Sequence, residues 1–131
     1  SNKKLYENLT IKKPLHNMQV EGFVTNMPDL LKEYDIMLTK SGGATLFEAI
    51  SSNTPIIVKN PKVGQEIENA KFIRDKGLGI LYDSDDDLKK IIKDLLNGNL
   101  DERLKFMDEN ISYFKNTIHP TKIGDYVFEL L

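Results

Sequence analysis

The sequence contains no cysteine. Neither a disulfide framework nor a thiolate metal site can be built from it, and a reducing cytoplasm is the simplest expected compartment. Charge of one sign is also lacking in excess: 18 Lys and Arg stand against 20 Asp and Glu, for a formal net charge of -2. There is no global cationic field to draw the chain onto nucleic acid, so that partner is not expected. No apolar run approaches the roughly 20 residues that cross a bilayer, and Ser1 to Thr10 lacks a signal peptide's apolar stretch, so any membrane contact is expected to be peripheral. The two histidines, His16 and His119, are isolated and have no ligand-spaced neighbours. Neither is assigned a role as base or metal ligand. The acidic run Asp83, Asp85, Asp86 and Asp87 lacks the alternating oxygens and trailing glycine of a calcium loop, and no metal site is expected.

What is present is the composition of one globular domain: 131 residues, 40% hydrophobic and 29% charged. Short β-rich runs, Met18 to Phe23, Ile36 to Thr39, Pro55 to Lys59 and Leu78 to Tyr82, alternate with helical patterns. That alternation predicts an α/β fold, a Rossmann-like parallel sheet flanked by helices. Helices are expected over Pro28 to Tyr34, Gly43 to Ser52 and about Gln65 to Lys76, the last stopped by Gly77. Ser84-Asp85-Asp86-Asp87 has the form of a capping box, followed by Leu88, Ile91, Ile92, Leu95 and Leu96 at helical spacing. Asn97-Gly98-Asn99 breaks that helix, and Leu100, Leu104, Met107, Ile111 and Phe114 mark the next apolar stripe. A final helix is expected over Pro120 to Leu131.

Two loops carry candidate chemistry. In Thr39-Lys40-Ser41-Gly42-Gly43-Ala44-Thr45-Leu46-Phe47-Glu48-Ala49 a strand end turns through two glycines into a helix. Such a corner can hold an anion: free N–H groups point out of the helix start, the dipole is positive there, and glycine lets a phosphate come close. Tight strand-to-helix packing explains the same residues. Glu48 is either a solvated surface acid or a carboxylate able to accept from two neighbouring ribose hydroxyls. In Asn60-Pro61-Lys62-Val63-Gly64-Gln65-Glu66-Ile67-Glu68-Asn69-Ala70, Gln65, Glu66 and Asn69 fall on adjacent parts of one helical face. They suit either a sugar's mixed donors and acceptors or an ordinary exposed helix start.

Taken in order, these two segments and Gly22-Phe23-Val24-Thr25-Asn26-Met27 resemble the C-terminal domain of the GT-B glycosyltransferases. Within that superfamily the motif form is nearest to processive diacylglycerol glucosyltransferases and monogalactosyldiacylglycerol synthases. The N-acetylglucosaminyltransferase that completes the lipid-linked peptidoglycan precursor is a more distant relative. The resemblance implies that residues 1–131 are part of a nucleotide-sugar donor-binding domain. It implies that Phe23 and Val24 border uracil, that Ser41, Gly42, Gly43 and Ala44 meet the diphosphate, that Glu48 binds ribose, and that Gln65, Glu66 and Asn69 face the hexose. The donor is then a UDP-sugar, with no separate cofactor, and the acceptor a diacylglycerol-type lipid at the cytoplasmic face of a membrane. The acceptor site and catalytic base are implied to lie in an N-terminal domain outside these residues, so no catalytic residue is named. The opening, Asn2-Lys3-Lys4-Leu5, resembles the segment after the domain's second strand. A sheet truncated there is expected to expose an edge, and self-association or domain exchange with it. A transferase of N-acetylglucosamine, a non-catalytic nucleotide-sugar-binding module and a UDP-sugar epimerase are the competing readings.

Overall fold

The computed structural model of the chain describes residues 3–11, 18–62, 64 and 66–117. In order these form α1 (Lys3–Ile11), α2 (Met27–Leu31), β1 (Met37–Lys40), α3 (Gly43–Ser51), β2 (Ile56–Lys59), α4 (Glu66–Asp75), β3 (Gly79–Tyr82), α5 (Asp85–Leu96) and α6 (Asp101–Thr117). The three strands make one parallel sheet, ordered β1-β2-β3, with Lys40 opposite Lys59 and Lys59 opposite Tyr82. The expected Rossmann-like α/β architecture is the one observed. Because the strands are parallel, all three run out of the sheet at the same rim.

Strand β2 explains the layering. Its residues Ile56, Ile57 and Val58 are all buried, as the central strand of a sheet covered on both faces requires. Ile56 and Val58 join Leu46, Ile50, Ile73 and Leu78 on one face. Ile57 joins Ile80, Tyr82 and Met107 on the other, where Leu88, Ile91 and Leu95 of α5 close the layer. Each fully buried aliphatic side chain contributes about 1.5–3 kcal/mol, so the central strand anchors both layers. Helix α6 serves both, through Met107 on one face and Ile111 on the other.

Close approach sets two details. A Cβ on Gly79 would stand 2.6 Å from the Ile56 carbonyl oxygen and 2.7 Å from Ile73 Cγ2, so only glycine lets α4 lie against this part of the sheet. Gly77 ends α4 with φ +63°, a left-handed turn that glycine adopts without strain. Two hydroxyls fasten α2 to the end of α3: Ser52 Oγ donates to the Pro28 carbonyl at 2.9 Å and Thr54 Oγ1 to that of Leu31 at 3.0 Å. Asn53, at φ 61°, donates through Nδ2 to Asp108 Oδ1 at 2.8 Å and Ser112 Oγ at 2.9 Å, tying the α3–β2 turn to α6.

Two expectations are corrected. Met18 to Phe23 is not a strand; the sheet among the described residues ends at β1, and an extended segment without a hydrogen-bonded neighbour gains no ladder. The short helix expected over Pro28 to Tyr34 spans Met27–Leu31, started by Asn26 at its N-cap. Asn26 Oδ1 accepts from the Asp29 amide, so the helix begins one residue earlier than its proline suggests. The helix expected over Pro120 to Leu131 lies outside the described residues.

Candidate functional site

Strand β1 ends at Lys40 and the chain turns through Ser41 and Gly42 into α3. The Gly42 amide donates back to the Lys40 carbonyl at 2.9 Å, and the first intrahelical bond runs from the Leu46 amide to the Gly42 carbonyl at 3.1 Å. The amides of Gly43, Ala44 and Thr45 therefore have no acceptor within the helix. The N-cap is a glycine, and no side chain caps this end. Gly42 has φ −72° and ψ 127°, angles open to any residue, so backbone conformation does not demand glycine here. What its hydrogen side chain achieves is to leave the amides uncovered at the positive end of the helix dipole.

Ser41 beside this turn is fully buried, and its hydroxyl has no hydrogen-bond partner among the described residues. A buried orphan hydroxyl costs about 1–3 kcal/mol until a partner is supplied. The Ser41 carbonyl, by contrast, accepts from Asn69 Nδ2 at 2.9 Å. That bond brings α4 against the turn, and the Asn69 amide nitrogen stands 3.7 Å from where a Cβ on Gly43 would be. A second tie crosses the same gap: Lys40 Nζ lies 2.7 Å from Glu66 Oε1.

Around the rim the β2 and β3 exits are joined. The Asn60 amide donates to the Tyr82 carbonyl at 2.8 Å, and Asn60 Nδ2 donates to Asp83 Oδ1 at 2.8 Å. Lys40, Lys59, Asn60, Lys62, Glu66 and Asp83 line an open cleft there. Along α3, Glu48 is half-buried and lies one helical turn beyond the exposed Ala44, on the same face.

The structure thus gathers Ser41, Gly42, Gly43, Glu66 and Asn69 at one corner, with Ala44 and Glu48 along the helix leading from it. Gln65 lies outside the described residues. Phe23 and Val24 are placed differently: Phe23 is 86% exposed and lines a cleft with Leu5, Tyr6, Leu9 and Val20. Among the described residues no hydrogen bond joins either of them to the α3 turn. Lys40 is the residue that sequence reasoning passed over. Its signal was its position, the last residue of a parallel strand, on the rim where ligands of open α/β sheets bind.

The profile of the glycosyltransferase family 28 C-terminal domain matches residues 1–120. The processive diacylglycerol beta-glucosyltransferases of Staphylococcus aureus strains Newman, USA300 and COL are each 35% identical to the chain over 120 residues, covering 88% of it and 31% of the relative. The chain thus spans about 31% of the length of the curated relatives it matches.

Proposed function

The chain belongs to the glycosyltransferase family 28 C-terminal domains, and from that premise we propose that it is the donor-binding part of an enzyme transferring a hexose from a UDP-sugar to a diacylglycerol-type lipid. The observation that carries this reading is the open start of α3, three amides without helical acceptors beside a buried, unpartnered Ser41 hydroxyl. In it, Ser41, Gly42, Gly43 and Ala44 receive the diphosphate, and Glu48 accepts from the ribose hydroxyls one turn further on. Gln65, Glu66 and Asn69 face the hexose, while Phe23 and Val24 border the uracil.

In the transfer an acceptor hydroxyl oxygen forms a bond to sugar C1 while the bond from C1 to the diphosphate oxygen breaks, its electron pair leaving with UDP. The amides at the α3 start offset the charge that grows on that oxygen, and being fixed by the fold they need no reorganisation. The acceptor's proton goes to a base in the part of the longer protein outside these residues, where the lipid site also belongs. No described helix is long and apolar enough to cross a membrane. The proposed lipid encounter is peripheral, at the cytoplasmic face. The outer edge of β1 has no strand partner among the described residues, and Leu38 on it is 50% exposed. We propose that the chain in isolation self-associates through that edge, and a strictly monomeric species in light scattering would count against it.

Titration of the 15N-labelled chain with UDP tests the site. Amide shifts concentrated on Ser41 to Glu48 are expected; a segment left undisturbed at saturating UDP overturns the assignment. Competition among UDP-glucose, UDP-galactose and UDP-N-acetylglucosamine identifies the sugar, and a preference for the last would replace the hexose in the proposal.

A further inference from the structure

Lys40 has no part in the sugar-nucleotide site as set out above, yet it lies across its corner. Its Cε stands 3.8 Å from where a Cβ on Gly42 would be, so its stem runs beside the bare N-cap of α3. Its ammonium then reaches Glu66 Oε1 at 2.7 Å, at the start of α4. The two side chains are 76% and 36% exposed, and a pair so solvated adds little to stability. The placement is more telling than the energy. A cation beside the positive end of a helix is poorly placed, and Glu66 is the acid that compensates it.

Resting on the donor-site reading, we propose that Lys40 is a diphosphate-contacting residue and that Glu66 is its partner in the free protein. An arriving diphosphate offers the ammonium more negative charge than one carboxylate does, together with the three free amides of α3. Lys40 turns to it, and the Glu66 carboxylate is released to accept hydrogen bonds from the sugar hydroxyls. The exchange couples the two ends of the donor: the residue that senses phosphate frees the residue that senses sugar. It also gives Glu66 opposite effects on two ligands. Its charge opposes UDP, by competing for Lys40 and repelling phosphate, and favours UDP-glucose, by holding the hexose.

Calorimetric titration of the chain and its Lys40→Met, Lys40→Arg and Glu66→Gln variants with uridine, UDP and UDP-glucose tests this. Lys40→Met is expected to weaken UDP roughly 10-fold, with uridine unchanged and Lys40→Arg restoring most of the loss. Glu66→Gln is expected to tighten UDP about 3-fold while weakening UDP-glucose by a similar factor. Both side chains are solvated, so melting curves close to wild type are expected for every variant. UDP bound equally by Lys40→Met and wild type overturns the proposal and leaves the donor site standing, as does a Glu66→Gln effect of the same sign on both ligands. Failure of the wild-type chain to bind UDP overturns the donor-site reading and this inference with it.

Discussion

Helices α3 and α5 both begin where a strand leaves the same rim of the sheet, and their first turns are finished in opposite ways. At α5 the Ser84 hydroxyl accepts from the Asp87 amide at 3.1 Å while the Asp87 carboxylate accepts from the Ser84 amide at 3.1 Å. Asp85, Asp86 and Asp87 fill the first turn with negative charge. This helix start supplies its own anion and has no use for another. At α3 the corresponding positions are glycine, alanine and threonine, with no acid in the first turn and no side-chain cap. The same fold therefore holds one helix start closed by its own side chains and one left open. The difference lies in residue choice, because both sites have the backbone geometry to accept an acid.

That comparison can be broken by closing the open end. Gly42→Asp keeps allowed backbone angles and sets a carboxylate among the free amides. UDP affinity is expected to fall on the order of 100-fold. Thermal unfolding should meanwhile show a gain of about 0.5 kcal/mol from the new cap. Binding preserved in this variant would move the anion site elsewhere. A smaller effect is expected from Asn69→Ala, which leaves the Ser41 carbonyl without its donor. Stability should drop by about 1–2 kcal/mol and UDP affinity roughly 10-fold, measured by urea unfolding and calorimetry on one preparation. Opening the closed end sharpens the contrast: Ser84→Ala should cost about 1 kcal/mol by chemical denaturation with UDP affinity unaltered.

The smallest effect is one of pH. Hydrogen bonds from Ser84, first its hydroxyl and then its amide, hold the Asp87 carboxyl below its ordinary value of 3.8. A carboxyl lowered by folding contributes stability that is present above 3.8 and is lost as pH falls through the folded-state value. Amide exchange in the first turn of α5 should accelerate in that acid range, once corrected for the intrinsic pH dependence of exchange. Asp87→Asn should abolish the dependence, and α3, which has no titrating cap, should not share it.

What could be read from the sequence depended on how far apart the interacting residues are. The α5 cap joins residues three apart, so its letters alone specify it. The strands β1, β2 and β3 and the turn at Ser41 to Gly43 were equally legible, since a run of apolar β-formers followed by turn chemistry is local information. The two ties that complete the corner were not. Asn69 to Ser41 spans 28 residues and Glu66 to Lys40 spans 26. Both depend on how α4 is rotated about its axis, which is set by Ala70 and Ile73 packing beneath it. Asn69 was expected to face a sugar, and in this structure its amide nitrogen is engaged by the Ser41 carbonyl. Met18 to Phe23 shows the converse limit: a β-like run is a strand only if another strand is present to meet it.

The parallel sheet has one more consequence, for how such a domain can diverge. The residues that hold it together, Ile56, Ile57, Val58, Ile73 and Leu78, are wholly inside, whereas Lys40, Lys59, Asn60 and Asp83 stand exposed where the strands emerge. Replacing the second group removes almost no hydrophobic burial, so the residues at the mouth can change while the interior stays constant. One scaffold can in this way acquire a new rim without passing through an unfolded ancestor.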